Sequence, residues 1–194
     1  TAAEGAEAAP WNQSTNVRYD SIYIADGVTG IGSYAFAQMD TLTEITIAGP
    51  TDLQSVGERA FYGDDKLAGP IELPGVTSLG QYAFYGCSGL GVGGVTLGEG
   101  LTAIPAHAFD SCGHKEITIP STVTEIGDYA FANNGFADAG ELVLPEGLTK
   151  IGEYAFYRNL GVSGSSGFTA LTIPSTVTEI GQYAFYNHRR METV

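Results

Sequence analysis

Apolar residues return along this chain in two rhythms. The first is a short alternation of branched apolar residues: Ile22-Tyr23-Ile24, Ile45-Thr46-Ile47, Ile71-Glu72-Leu73, Val95-Thr96-Leu97, Ile117-Thr118-Ile119, Leu142-Val143-Leu144 and Leu171-Thr172-Ile173. Period-2 alternation predicts half-buried strands. The second is the stretch IGQYAF at 180–185, with near-copies at 31–36, 56–61, 79–84, 104–109, 126–131 and 151–156. The Ala-Phe pair is kept in every copy, and successive Phe residues lie 22 to 29 positions apart. A period in that range marks a stacked repeat.

One strand per repeat, always in the same direction, predicts a parallel ladder rising about 4.8 Å per coil. Proline ends the strand at Pro74, Pro120, Pro145 and Pro174, where it blocks further ladder bonding. The expected architecture is a β-dominated repeat solenoid of the α/β type, curved and right-handed, with one parallel strand per coil, seven coils and a partial eighth. In each coil Phe drops into the core and Ala is small enough for coils to approach. Gly181 stands where six of seven copies carry Gly. That predicts either a positive φ or a backbone too close to its neighbour for a side chain.

Residues 1–20 read as a linker and cap, and 21–194 as the solenoid. The first ten residues, TAAEGAEAAP, are Ala-rich and acidic without apolar periodicity. Trp11 is the only tryptophan and is expected to plug the open end of the first coil, because a terminal repeat has no neighbour to bury its face. Asn12-Gln13-Ser14 matches a glycosylation sequon, of consequence only in a eukaryotic secretory host. From strand to Phe the spacing is close to a fixed template, whereas from Phe to the next strand it tolerates insertion. The inserted loops, at 86–94, 133–140 and 158–167, are rich in Gly and small polar residues. Insertions gather on one side of a solenoid, often the binding side. The closing Met191-Glu192-Thr193-Val194 matches 42–45 in register, so an eighth coil is expected to continue beyond Val194.

Charge narrows the partners. Twenty-two acids against eight Lys and Arg give a formal charge of −14, which repels nucleic acid and anionic membrane surfaces and suits a soluble monomer. No run approaches the roughly 18 apolar residues of a membrane helix. Cys87 and Cys112 each stand three residues after a repeat Phe, in the same place in neighbouring coils. They are expected as stacked buried thiols, with a disulfide the alternative.

Catalytic signatures are missing. His107, His114 and His188 form no HExxH or HxH arrangement, and there is no GxSxG elbow or phosphate-cradling GxxxxGK[ST]. Gly89-Leu90-Gly91-Val92-Gly93 carries no Lys and reads as a repeat-junction insertion. Asp64-Asp65 reads as a solvated turn rather than a calcium site. No cofactor and no metal are expected.

Two surfaces remain as binding candidates. The outward strand column runs Tyr23, Thr46, Glu72, Thr96, Thr118, Val143, Thr172. It offers a shallow groove for a protein or an extended peptide, or simply an exposed face favouring Thr. A second column, Thr29, Thr77, Thr102, Thr124, Thr149 and Thr178, resembles a regular hydroxyl array, but uneven coil lengths argue against ice binding. The other surface is aromatic. Tyr34, Tyr82, Tyr129, Tyr154 and Tyr183 precede the Ala-Phe pair, and Tyr62, Tyr85, Tyr157 and Tyr186 follow it. These rings either pack between coils with hydroxyls in water, or form a strip that stacks on sugars or anchors a protein. The residues singled out as a ligand surface are Tyr82, Tyr85, Tyr129, Tyr154, Tyr157, Tyr183 and Tyr186, with Tyr23 and Glu72 on the strand face. Phe136, Leu160, Val162 and Phe168 place apolar side chains in or beside the insertion loops, either tucked over the core or made for contact.

The pattern LTIPSTVTEIGQYAF, carried by Leu171, Ile173, Pro174, Val177, Ile180, Gly181, Ala184 and Phe185, resembles the BspA-type leucine-rich repeat of bacterial and protist surface proteins. The departures are Gly49-Pro50 and Arg59 in the second copy, and Pro105 and His107 in the fourth. The resemblance implies a leucine-rich-repeat solenoid outside the cell that adheres to host or microbial surface proteins. It transfers no site residues. The reading from sequence is therefore a non-enzymatic extracellular binding module. A carbohydrate- or cell-wall-binding module using the tyrosine strip, or a structural spacer in a larger surface protein, are the alternatives.

Overall fold

The computed structural model describes residues 18–91, 94–115, 118–136, 141–159 and 168–187. Trp11, Leu160, Val162, His188 and the closing residues 191–194 lie outside the described residues. The strands in chain order are β1 (Ser21–Ile24), β2 (Gly30–Ile31), β3 (Glu44–Ile47), β4 (Ser55–Val56), β5 (Ile71–Leu73), β6 (Ser78–Leu79), β7 (Val95–Leu97), β8 (Ala103–Ile104), β9 (Glu125–Ile126), β10 (Glu141–Val143), β11 (Lys150–Ile151), β12 (Ala170–Thr172) and β13 (Glu179–Ile180).

Every pairing is parallel and joins neighbouring repeats, which makes the molecule a β-solenoid. The first ladder pairs β1 with β3, β5 with β7 and β10 with β12. Its register sets Ile22 opposite Ile45, Ile71 opposite Val95 and Leu142 opposite Leu171. Like side chains therefore stack from coil to coil on the inward face. One expectation needs correction. Six of the seven predicted strands appear in the first ladder, Ile117 of the remaining one lying outside the described residues, but a second ladder of two-residue strands accompanies it, in the orders β2-β4-β6 and β8-β9-β11-β13. It stacks Ile31, Val56 and Leu79, then Ile104, Ile126, Ile151 and Ile180. The reason is the backbone: its polar groups need partners wherever coils meet, and two residues are too few to leave an alternating pattern.

The Ala-Phe turn adds a third set of rungs. The N–H groups of Phe36, Phe61, Phe84, Phe109, Phe131 and Phe156 donate to the carbonyls of Ala60, Ala83, Ala108, Ala130, Ala155 and Ala184, all at 2.8–2.9 Å. The rings of the seven repeat Phe residues stack in one file with centroids 5.1–5.6 Å apart. Phe61, Phe84, Phe109, Phe131 and Phe156 are buried, while Phe36 and Phe185 at the two ends are partly buried. This is the predicted spine. The glycine column is explained by close approach and not by a positive φ. A Cβ on Gly57, Gly80, Gly127, Gly152 or Gly181 would lie 2.3–2.6 Å from a main-chain nitrogen of the preceding coil, whereas Gly32, in the first coil, has open space.

Described residues in and beside the inserted loops join this core. Phe136 and Phe168 are buried and stack on each other at 5.1 Å, so they are tucked in. The glycine-rich stretch begins as a short 3-10 turn, Ser88–Gly91, that buries Leu90. Cys87 and Cys112 are free, buried thiols. Burial pushes both thiols up from their ordinary pKa, so they stay protonated. The second threonine column is a structural fastening. The hydroxyls of Thr77, Thr124, Thr149 and Thr178 donate to the carbonyls of Gln54, Thr102, Thr124 and Thr149, one coil back. Asp64 contradicts the expected solvated turn, since it is buried.

Candidate functional site

The tyrosines of the aromatic surface owe their placement to an unusual backbone. Tyr34, Arg59, Tyr82, His107, Tyr129, Tyr154 and Tyr183, the residues before each Ala-Phe pair, have φ between 52° and 60°. That is left-handed territory, costly for any residue with a Cβ. A second positive φ comes two residues after each Phe, at Gln38, Gly63, Gly86, Ser111, Asn133, Arg158 and Asn187. The two bends turn the side chain before Ala-Phe out of the core and line up equivalent positions.

Alignment produces a continuous outer stack. Arg59 holds its guanidinium carbon 5.5 Å from the Tyr34 ring and 4.6 Å from the Tyr82 ring. Tyr82 and His107 stack at 4.4 Å, His107 and Tyr129 at 4.7 Å, and Tyr129 and Tyr154 at 4.7 Å, all within 9° of parallel. Tyr154 and Tyr183 follow at 5.1 Å, tilted by 35°. The two departures from tyrosine thus keep a flat π-group in the file. The sequence marked Arg59 and His107 only as exceptions, yet planarity was the shared signal. Burial works against the Arg59 charge, but the Tyr34 hydroxyl and Glu58 outweigh it and its pKa is raised. His107 directs Nδ1 to Asp110 at 3.0 Å, and Asp110 also accepts from Ser111 and Asn133.

The tyrosines after the pair form a second, broken column. Tyr62 stacks on Tyr85 at 5.0 Å and Tyr157 on Tyr186 at 5.9 Å. Between them stand the buried Asp110 and Ala132. Tyr85, Tyr157 and Tyr186 present edges to the first column, for Tyr157 against Tyr154 at 80°. The phenols of Tyr85, Tyr129 and Tyr154 are held above their ordinary value, by burial first and then by neighbouring phenols and carboxylates. Chemically, the surface offers hydroxyls and ring edges, because ring faces from Tyr82 to Tyr183 already cover one another. Tyr183 and Tyr186 are the exposed pair, at 46% and 55%.

Tyr23 and Glu72 lie apart from this stack, on the strand ladder. Tyr23 is 70% exposed on β1, and Glu72 is exposed on β5. Val143 on β10, in the same outward column, is 69% exposed. Thr46, Thr96 and Thr172 fill the column between and beyond them. The structure therefore brings seven of the nine singled-out residues into one aromatic band and leaves two on a different side of the coil. Among the described residues, no group of three or more His, Cys, Asp and Glu side chains is arranged to hold a metal. None of their helices is long and apolar enough to cross a membrane.

These features define a parallel β-solenoid of the leucine-rich type, its repeat set by the Ala-Phe turn. Residues 13–137 and 162–194 match the family described as BspA type Leucine rich repeat region, in six copies. The chain belongs to that family. Among solved structures it is similar to a leucine-rich repeat protein from Eubacterium ventriosum (TM-score 0.59, 22% identity, 92% of this chain and 44% of that one). It is also similar to one from Bacteroides ovatus (TM-score 0.54, 23% identity, 87% of this chain) and to the T. pallidum Leucine Rich Repeat protein (TM-score 0.53, 23% identity, 84% of this chain and 74% of that one). The chain spans about half the length of the Bacteroides ovatus protein, 52%. No curated protein matches the chain significantly.

Proposed function

We propose that this chain is a non-catalytic, protein-binding repeat module of a bacterial surface or secreted protein, and that it receives its partner on the strand face. One observation carries the reading. The outward strand column leaves Tyr23 and Val143 about 70% exposed, while the rings of the aromatic band are stacked against each other. An exposed aromatic on a rigid strand, with short hydroxyl side chains around it, is the kind of anchor that protein interfaces use. The partner class is a host or microbial surface protein, which fits adhesion.

A second reading, glycan binding, is favoured by the exposed Tyr183 and Tyr186, whose rings meet at 79°. An array of host-matrix proteins, microbial surface proteins and glycans, probed with the full chain, separates the two. The expected result is saturable protein binding that weakens at least tenfold in Tyr23→Ala or Val143→Ala and is unchanged in Tyr183→Ala. Glycan binding lost in Tyr183→Ala would transfer the site to the aromatic band. Silence on every ligand would leave the spacer role, and substrate turnover would refute the non-catalytic reading.

A further inference from the structure

Three positions after the repeat Phe, in six of the seven repeats and all among the described residues, a side chain turns inward: Met39, Asp64, Cys87, Cys112, Asn134 and Asn159, all buried. Three of them do the same work. Cys87 Sγ donates to the Phe61 carbonyl at 2.9 Å, Cys112 Sγ to the Phe84 carbonyl at 2.8 Å, and Asn134 Nδ2 to the Phe109 carbonyl at 2.8 Å. In each case the acceptor belongs to the Phe one repeat earlier. The asparagines also accept from the main chain: Asn159 Oδ1 takes the N–H of Asn134, its column neighbour one repeat back, at 2.8 Å.

Asp64 copies half of this arrangement. Its Oδ1 accepts from the N–H of Met39, the column neighbour one repeat back, at 2.7 Å. Its Oδ2 is buried and has no hydrogen-bond partner, whereas Cys87, Cys112 and Asn134 each place a donor on the Phe carbonyl one repeat earlier. The side chain is 0% exposed. The ionisable groups facing it are Asp40, Asp65 and the Cys87 thiol, and none of the three ion pairs among the described residues includes it. A carboxylate there would be a buried charge among acids, and two acceptor oxygens would face a carbonyl. A neutral acid has the missing donor. The Phe61 carbonyl is already taken by Cys87, and one repeat before Phe61 comes Phe36.

We propose that Asp64 is a neutral carboxylic acid in the folded protein, that its Oδ2–H donates to the Phe36 carbonyl, and that loss of this proton to solvent unfastens the first repeat from the stack. Burial, aided by Asp40 and Asp65 and opposed by the N–H groups of Met39 and Gln38, pushes the Asp64 pKa up to about 8. The folded value lies above the ordinary 3.8. The stability it lends is therefore complete below the ordinary value and lost as pH rises through about 8. The first repeat is the one affected because Met39 and Phe36, the residues this carboxyl group holds, belong to it.

Two measurements on the full chain test this. With carboxyl-labelled aspartate, the Asp64 carbon resonance should keep its acid position through neutral pH and titrate near 8; titration in the ordinary carboxylate range overturns the proposal. Asp64→Asn supplies the side chain that Asn134 and Asn159 show the column accepts, and it has no acidic proton to lose. From about pH 6 to about pH 9 the wild-type Tm should fall several degrees relative to this variant, and equal falls overturn the proposal. At the alkaline end, amide exchange in the first repeat should be about tenfold faster in the wild type than in Asp64→Asn. Equal exchange overturns the unfastening.

Discussion

The phenylalanine file inside the solenoid and the Tyr-Arg-His file outside it are built on the same rise per coil, yet they obey different rules. The inner file holds one residue type in all seven repeats, whereas the outer file admits Arg59 and His107 among its tyrosines. The interior is close-packed, so each position is fixed by volume: a smaller side chain leaves a void and a larger one strains the wall. The exterior is fixed by flatness alone. A phenol, an imidazole and a guanidinium differ in charge and size, but each lies flat between two neighbours. Repetition by itself therefore does not mark a ligand site. What a column tolerates shows which property of the residue the fold uses.

The contrast sets an order of expected effects. Phe131→Ala, in the middle of the inner file, should lower unfolding free energy by about 3–5 kcal/mol in a denaturant titration, and a loss under about 1 kcal/mol would deny the spine its role. Tyr129 lies beside it in the outer file. Replacing Tyr129 by Ala removes two stacking contacts, each about 0.5–1.5 kcal/mol, and leaves a Cβ at a φ of 55°. The expected loss is about 1–3 kcal/mol. Tyr129→Gly loses the same stacking but relieves the backbone, so it should be about 1 kcal/mol less damaging than Tyr129→Ala. If Gly is the worse of the two, the left-handed bend carries no strain. Smallest is Arg59→Tyr, which restores the commoner residue and should change stability by no more than about 0.5 kcal/mol. A larger loss would show that the guanidinium, through Glu58 and the Tyr34 hydroxyl, contributes more than a flat surface.

The parts legible in sequence were those with enough residues to show a period. Strands such as Ile71–Leu73 and the recurring Phe could be placed because alternation and spacing are visible over several positions. The second ladder was hidden because Ser55–Val56 or Lys150–Ile151 expose a single inward residue each. The glycine column is compatible with two explanations, and Pro105 in the fourth copy decides between them, since proline cannot adopt a positive φ. The positive φ went instead to tyrosine, against its local preference, because stacking on both neighbours holds it there. Composition hides Asp64: an Asp-Asp pair resembles a solvated turn, while its position relative to Phe61 places it with Cys87 and Asn134.

The rungs described above, from the Phe N–H groups to the Ala carbonyls and from the Thr hydroxyls to the coil before, run between adjacent turns. Pulled from its two ends, the molecule is loaded like a wound spring: several bonds share the tension at each seam, and the seams bear it one after another. Extension collects at the weakest seam while the other turns stay wound. Each repeat that gives way releases roughly 80 Å of chain. A tethered protein of this build lengthens in steps under drag, and rewinds one turn at a time when the pull stops.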